Sequence, residues 1–545
     1  MKSTNHWPKH FYLVAAGADA GVHSHKASRD SMGSKAFNLL RMADVGLPVP
    51  PALVIGTHYV ACPDECMLPV FAVGLPALEQ ASGLKFGDER RPLIVSVRSG
   101  APVSMPGMME TLLNVGLCDQ TVPGLLRQTG NPRLVWDAYR RLIACFGEVV
   151  AGLPASLFDE QIAHVADGRD ERLLDFHELR DLTRRFLALY QQYAGHAFPQ
   201  DGNLQLSLAI RAVFASWNSP KAQAYRRLNQ IDPSIGTAVT IQAMVFGNSG
   251  AHAGAGVGFT RDPTTGEKRL WVDFLANAQG EDVVSGRRNA HGHEALAMVA
   301  PQAWRKLEEA TQALELEFLD MQDFEFTVQD GVLHLLQTRS GKRTPLAAAR
   351  IALDLLDEQL IDAATALKRT SALQEEELGT IRLAAQADQA STVAPLARAI
   401  SACSGVVAGE LALDGERVSA RAAEGVATIL VRQDAETSDI GALESALGLL
   451  TQRGARTSHA AVVARQLGKV CLVACDGLKI DLSARTVGLG DLTLREGDLI
   501  TLDGNDGAVY AGALASVRVP DEALLERLRK LRASQHGATH RKHGT

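Results

Sequence analysis

A single histidine lies where the chain could carry a transferable group. His459 ends a polar segment and leads into a run of small apolar residues, which Gly468 closes. Thr457 or Ser458 is a favourable N-cap and Gly468 a favourable residue after the last turn, so the pattern predicts a short helix that begins near His459. The positive end of the helix dipole would keep the imidazole neutral and nucleophilic, and it would stabilise a phosphoryl group on the ring. An ordinary surface histidine is the alternative.

A second group of polar residues alternates along the segment 323–339, which is typical of a β-hairpin. A three-residue loop 329–331, with Gly331 in the left-handed conformation, would pair Val328 with Val332. This register places apolar side chains on one face and on the other a set of four polar ones, namely Asp323, Glu325, Gln337 and Arg339. Carboxylates commonly hold Mg²⁺ together with phosphate oxygens, and arginine matches phosphate geometry. The alternative is a solvated face with one salt bridge.

Glycine-rich segments offer further contacts to an anion. Arg98 ends a buried strand, and Gly100 and Gly107 after it allow a close backbone approach. The segment 246–258 contains five glycines, whose amides could form an anion-binding nest. Lys35 could contact phosphate as well. Tight turns and a surface lysine are the ordinary alternatives.

The elements that position these residues suggest several domains, because 545 residues exceed one ordinary core. Residues 1–344 mix strand-like runs, loops and helices. Residues 345–393 have a helical pattern up to Leu383 and are typical of a linker. Residues 394–512 are rich in short strands and glycine, and 513–545 fit one helix, at 521–531, followed by a flexible tail. The predicted fold class is therefore an α/β and α+β multidomain protein.

Composition excludes some classes of function. A net charge of −7 indicates no general affinity for nucleic acid or membranes. The seven cysteines lack zinc-finger spacing, so we expect free thiols, which suit a reducing compartment. The start of the sequence has no signal-peptide pattern, and no apolar run reaches the length of a membrane span. These features predict a cytoplasmic protein.

Short motifs occur in one consistent order between residues 10 and 512. They are Gly46–Pro51, Val95–Gly100, Met105–Met109, Ser216–Asn218, Met244–Asn248, Phe259–Pro263, Asn277–Asp282, Leu336–Arg343 and Thr457–Arg465. Taken together, they resemble the pyruvate phosphate dikinase family. The resemblance implies an ATP-grasp nucleotide-binding domain over 1–344 and a swivelling β/β/α phosphohistidine domain over 394–512.

The resemblance also implies roles for the residues already singled out. Lys35 and Arg98 would contact the ATP phosphates, and the nucleotide and Mg²⁺ cluster would comprise Asp323, Glu325, Gln337 and Arg339. His459 would be the phosphorylated histidine, and Thr457 corresponds to a position at which plant members are regulated by phosphorylation. In the family, histidine attacks the β-phosphate of ATP and AMP leaves. Inorganic phosphate then removes the terminal phosphoryl group as pyrophosphate.

The sequence departs from the family in two loops and at its end. Ala455 and Arg456 replace a glycine and an apolar residue, and residues 251–253 replace acidic and hydroxyl residues, so the second acceptor is either phosphate or water. Family members continue into a barrel of some 200 residues, whereas 33 follow Gly512. We therefore expect the pyruvate or phosphoenolpyruvate site on a separate subunit, or another small-molecule acceptor. An ATP-binding regulatory protein without turnover is the alternative function.

Overall fold

The computed structural model describes residues 7–15, 27–103, 105, 107–284, 292–384, 394–434, 439–456 and 458–541. The chain forms two compact units. The first comprises residues 1–251 and 328–338, and the second comprises residues 252–327 and 339–545. Across the described ranges, no helix combines the length and the apolar character needed to cross a membrane.

A five-stranded antiparallel sheet forms the centre of the first unit. In spatial order its strands are Phe11–Val14, Ala52–Ile55, Ala238–Ala243, Val95–Gly100 and Thr111–Val115. The helices of this unit are Arg29–Met32, Ser34–Asp44, Met67–Pro69, Leu75–Ser82, Val122–Thr129, Pro132–Val149, Ser156–Ala166, Phe176–Ala194, Gly202–Ala215 and Pro220–Leu228. A short parallel pair joins Lys85–Phe86 to Pro92–Leu93.

The helix Pro132–Val149 illustrates how the sequence specifies this unit. Asn131 caps it by accepting a hydrogen bond from the Leu134 amide at 3.1 Å, and proline occupies the first turn, where it costs no hydrogen bond. The apolar face of this helix is buried in the same core as the strand Val95–Gly100. The predicted buried strand is confirmed.

The second unit contains a strand rich in glycine, Gly254–Phe259, here called the glycine strand. It lies in a four-stranded sheet with the order Val332–Ser340, Gln322–Gln329, glycine strand, Trp271–Ala276. We call the last of these the tryptophan strand. A Cβ atom on Gly254, Gly256 or Gly258 would collide with the ring of Phe274, Phe326 or Phe324 respectively. These glycines therefore let aromatic rings pack directly on the backbone. The prediction that they form an anion-binding loop is wrong, because they form a strand paired with the tryptophan strand.

A larger, eight-stranded sheet lies further along the second unit. Its spatial order is Ala397–Arg398, Ala508–Ala511, Leu499–Asp503, Val406–Ala412, Thr428–Arg432, Gly448–Thr451, Val470–Val473 and Ile400–Cys403. The four strands from Val406–Ala412 to Val470–Val473 are parallel, and they are connected by the helices Gly415–Ala423, Ile440–Ser445 and His459–Gln466. The carboxyl ends of parallel strands lie at one edge of a sheet, and the segment leading to His459 leaves from that edge. A three-stranded sheet is added by Lys479–Asp481, Thr486–Leu489 and Leu492–Arg495.

The linker region packs against the end of the chain. The linker contains the helices Pro345–Asp357 and Ala363–Thr370, and the helix Glu522–Arg541 buries leucines in the same core. The strand Gly379–Leu383 pairs antiparallel with Ser516–Pro520. The helical pattern predicted up to Leu383 is therefore wrong for its last residues, because their partner lies more than a hundred residues away in sequence. The remaining helices of the unit are Gly280–Val284, His293–Val299 and Pro301–Phe318.

The hairpin formed by Gln322–Gln329 and Val332–Ser340 differs from prediction at its turn. Two residues form the turn, Asp330 at φ 51° and Gly331 at φ 79°, as in a type I′ turn. The predicted three-residue loop is wrong. As a result Val332, expected on the buried apolar face, is 51% exposed, whereas Leu333 and Leu335 are buried.

Candidate functional site

The histidine helix, His459–Gln466, begins where the sequence predicts. Ser458 is its N-cap, and the Ser458 hydroxyl accepts a hydrogen bond from the Ala461 amide at 3.4 Å. Thr457 and the side chain of His459 lie outside the described residues. The backbone of His459 therefore occupies the first turn of the helix, whose amides and dipole favour an anion.

The end of the histidine helix also follows the prediction. Gly468 has φ 65°, and its amide donates to the Arg465 carbonyl at 3.1 Å. The Lys469 amide donates to the Ala464 carbonyl at 2.8 Å, which completes a Schellman motif. The small residues of the helix are buried against the sheet, namely Ala460, Ala461 and Ala464. The helix is thus fixed at both ends and along one face.

Two of the predicted cluster residues, Asp323 and Arg339, form an ion pair in the second unit. Arg339 Nε donates to Asp323 Oδ2 at 2.7 Å. Regular pairing from a two-residue turn would put these two side chains on opposite faces, whereas the ion pair brings them together. Burial raises the pKa of Asp323; Arg339 and Arg465 oppose this increase, and the nearby charge of Glu325 adds to it. The pKa of Arg339 is also raised, because Asp323 and Glu325 together outweigh its burial.

Lys35 and Arg98 lie on two elements of the first unit that touch. Lys35 is in the first turn of the helix Ser34–Asp44, and both the amide and the hydroxyl of Ser34 donate to the Ala101 carbonyl at 3.0 Å. Only glycine fits at position 33, where φ is 76°, because a Cβ atom there would collide with the carbonyl of Gly100. The structure thus brings Lys35 beside the end of the strand that carries Arg98.

The same helix reaches the strand that carries Gln337. Asn38 Nδ2 donates to the carbonyl of Thr338 at 2.8 Å, and both residues are buried. Gln337 is itself buried, with 6% exposure. The first unit therefore gathers Lys35, Arg98 and Gln337, and the second unit contains Asp323, Glu325, Arg339 and His459.

The loop after Arg98 is held by a second motif. Met105 is buried in a cluster with Trp217 and Ala222, and the Ser216 hydroxyl accepts a hydrogen bond from the Glu110 amide at 3.2 Å. The segment Ser216–Asn218 thus holds this loop through one hydrogen bond and through packing of Trp217.

Sequence reasoning missed the partners of the segment before His459. Arg456 Nε donates to Asp273 Oδ1 at 2.8 Å, and its guanidinium carbon lies 4.1 Å from the ring centre of Trp271. The available signal was a lone carboxylate in the otherwise apolar run 271–276. Arg465, in the histidine helix, was also missed. It is 1% exposed, and Trp271 lies 5.3 Å from its guanidinium carbon.

The donor set contains no compact ligand cage. Among the residues that the structure describes, no group of three or more histidine, cysteine, aspartate or glutamate side chains is placed to hold a metal ion. All seven cysteines are free thiols, as expected.

Comparison with known proteins identifies the families that this chain resembles. A model described as pyruvate phosphate dikinase, AMP/ATP-binding domain, matches residues 75–294, and one described as PEP-utilising enzyme, mobile domain, matches residues 425–507. Pyruvate, phosphate dikinase 1 of Zea mays (chloroplastic) is 41% identical over 502 residues, which is 90% of this chain and 52% of that protein. The chain is similar to the pyruvate phosphate dikinases over nine-tenths of its own length.

A bacterial dikinase gives the same result. The pyruvate, phosphate dikinase of Clostridium symbiosum is 40% identical over 514 residues, which is 92% of this chain and 58% of that protein. The chain spans about half the length of the curated relatives it matches. The predicted resemblance and the multidomain α/β fold class, with its nucleotide-binding and mobile domains, are confirmed.

Proposed function

We propose that this chain uses Mg-ATP to phosphorylate His459 and releases AMP. His459 attacks the β-phosphorus of ATP, so the bond to the α-phosphate breaks and a pyrophosphoryl group forms on the ring. A second acceptor then takes the terminal phosphoryl group. If it is inorganic phosphate, the products are phosphohistidine and pyrophosphate, and if it is water, they are phosphohistidine and phosphate. Splitting the reaction at a covalent intermediate replaces one difficult step by easier ones.

The observation that carries this proposal is the position of His459. It is the first residue of a helix capped by Ser458, and the segment leading to it leaves the carboxyl edge of parallel strands. A helix start at such an edge offers backbone amides and a positive dipole to an anion. This environment favours a neutral imidazole before transfer and a phosphorylated ring after it.

The charged side chains of the cluster would supply the electrostatic part of catalysis. Asp323 accepts the Nε–H of Arg339 and thereby orients the guanidinium, whose terminal nitrogens suit phosphate oxygens. Lys35 and Arg98 would bind phosphate from the first unit. Positioning and neutralisation of charge provide most of the rate in phosphoryl transfer.

The oxygen donors fit Mg²⁺ by type. Asp323, Glu325 and Gln337 offer carboxylate and amide oxygens, the hard ligands that this ion prefers, and phosphate oxygens and water would complete its shell. A bound Mg²⁺ would neutralise charge on the phosphate oxygens. Thr457, two residues before His459, is a site at which phosphorylation would add negative charge beside the reacting ring.

No residue described above is assigned to the final phosphoryl acceptor. The phosphohistidine would pass its group to an acceptor held by a separate pyruvate- or phosphoenolpyruvate-binding subunit, or to another small molecule. Pull-down from native lysate, followed by mass spectrometry, tests for a barrel-sized partner.

The test of the proposal is labelling with ATP that carries ³²P in the β-phosphate, with Mg²⁺ and with or without inorganic phosphate. We expect label on the protein that is acid-labile and base-stable, together with AMP, and no label on His459→Ala. Pyrophosphate or phosphate as co-product identifies the second acceptor. ATP binding without label under either condition would instead support the ATP-binding regulatory protein without turnover.

A further inference from the structure

The segment that precedes His459 makes a specific contact within the second unit. Arg456 binds the Asp273 Oδ1 atom through Nε at 2.8 Å and Nη2 at 2.7 Å, and Nη2 also donates to the Val272 carbonyl at 2.9 Å. The guanidinium carbon lies 4.1 Å from the ring centre of Trp271. One side chain thus meets a carboxylate, a carbonyl and an indole face on the tryptophan strand.

Because the Asp273 carboxylate is buried, this contact favours a cationic partner. The Asp273 side chain is 2% exposed and that of Arg456 is 20% exposed. A carboxylate so deeply buried requires a partner, and a planar guanidinium can satisfy it while stacking on an indole. Ala455, the preceding residue, is buried in a small cluster with Ala255, Val257 and Leu275. Apolar packing of Ala455 therefore lies beside the ion pair.

Arg465 links this contact to the histidine helix. Its Nη2 donates to the Arg456 carbonyl at 3.1 Å and to the Ala402 carbonyl at 2.8 Å. Its guanidinium carbon lies 5.3 Å from the ring centres of both Phe259 and Trp271. Two guanidinium groups, one before His459 and one after it, thus converge on a single indole, and His459 lies between them in sequence.

We propose that Trp271 and Asp273 form a docking seat that positions His459 for phosphorylation, with Arg456 as the residue that engages it. Arg456 is a positioning residue: it holds the backbone three residues before His459 on the sheet that also carries Asp323 and Glu325. The inference rests on the proposed function and adds the contact that controls access of the ring to the nucleotide.

The test compares Arg456→Met with Arg453→Met. Methionine preserves most of the length of the side chain and removes the charge. Arg453 lies in the same segment, but its side chain is half-exposed and its guanidinium lies 3.8 Å from Asp434. The first measurement is hydrogen–deuterium exchange, without nucleotide, of peptides covering 452–458. We expect faster exchange in Arg456→Met and in Asp273→Asn, and wild-type exchange in Arg453→Met.

The second measurement is the single-turnover rate of phosphohistidine formation at saturating ATP, together with the Kd for ATP by calorimetry. Arg456→Met should lower the rate at least about tenfold and leave the Kd within about twofold, because a broken buried ion pair affects positioning and not the nucleotide. The double variant with Asp273→Asn should be no slower than the slower single variant.

The two measurements separate the two proposals. Unchanged exchange and rate in Arg456→Met, with the wild type labelled normally, would overturn the docking seat. Faster exchange in Arg456→Met without labelling of any variant, including the wild type, would support the seat and refute the proposed phosphorylation.

Discussion

Replacing Gly256 by alanine tests the packing that supports the hairpin formed by Gln322–Gln329 and Val332–Ser340. A Cβ atom at this position would lie 2.6 Å from Cε1 of Phe326 and 2.7 Å from the carbonyl oxygen of Asp273. Ordinary contacts of a Cβ atom begin at 3.4 Å, so the ring and a neighbouring backbone must both move by more than half an ångström. The ring alone could rotate away, but the backbone of the tryptophan strand is fixed by its ladder.

The expected cost follows from these two collisions. Overpacking of a well-packed core costs about 1–3 kcal/mol, and a collision with backbone belongs in the upper half of that range. Alanine recovers about 0.4–1 kcal/mol by restricting the unfolded chain. The net loss should be about 2 kcal/mol, which lowers the unfolding midpoint by roughly 3–4 °C in a unit of about 280 residues. Differential scanning calorimetry measures this shift.

A matched control separates steric cost from the general effect of losing a glycine. Among the described residues, no atom lies within 4 Å of a Cβ added to Gly280, which begins the helix Gly280–Val284, so Gly280→Ala should leave the midpoint unchanged or raise it. Adding Phe326→Leu to Gly256→Ala removes the ring collision and should restore part of the loss. If Gly256→Ala and Gly280→Ala have the same midpoint, the rings do not pack on the glycine strand and the reasoning fails.

Two further predictions concern the first unit. Gly33→Ala should lower ATP affinity at least about tenfold, because the collision with the Gly100 carbonyl and a backbone conformation accessible essentially only to glycine displace Lys35. The control is Gly46→Ala, because Gly46 also has a positive φ of 79° but no described atom lies near the added Cβ position. Calorimetric titration measures the ATP affinity of both variants, and equal affinities would contradict the placement of Lys35. The pKa of Asp137 is held below its usual value, because the nearby charges of Arg140 and Arg141 together outweigh its burial. The stability this pair supplies is therefore present above the unfolded-state pKa of about 3.9 and is lost as the pH falls through the folded-state pKa. In urea unfolding, Asp137→Asn should cost about 3 kcal/mol at pH 7 and progressively less below about pH 4, whereas a gap independent of pH would contradict this assignment.

The local limits of the histidine helix could be predicted because they depend on neighbouring residues. Ser458 and Gly468 act through backbone atoms within one turn of themselves, so their types suffice to mark the two ends. The helix Pro132–Val149 and the strand Val95–Gly100 were equally accessible, because a periodic apolar pattern records which face is buried.

The errors have identifiable physical causes. At Asp330 and Gly331 the sequence contains an Asp-Gly pair, the common signature of a two-residue turn, whereas a shared face for the carboxylates requires the longer loop. The glycines from Gly254 to Gly258 have a spacing that is also typical of a phosphate-binding loop. Their role became visible only with Phe324 and Phe326 placed above them, some seventy residues away in sequence. The contact between Arg456 and Asp273 is equally non-local.

The central claim is tested most directly by labelling the protein in parallel with ATP carrying ³²P in the β-position and with ATP carrying it in the γ-position, each with Mg²⁺ and inorganic phosphate. The account predicts that label from the β-position remains on His459, that label from the γ-position leaves in pyrophosphate or phosphate, and that AMP accumulates. Retention of the γ-label with ADP as the product, or label that persists in His459→Ala, would contradict it.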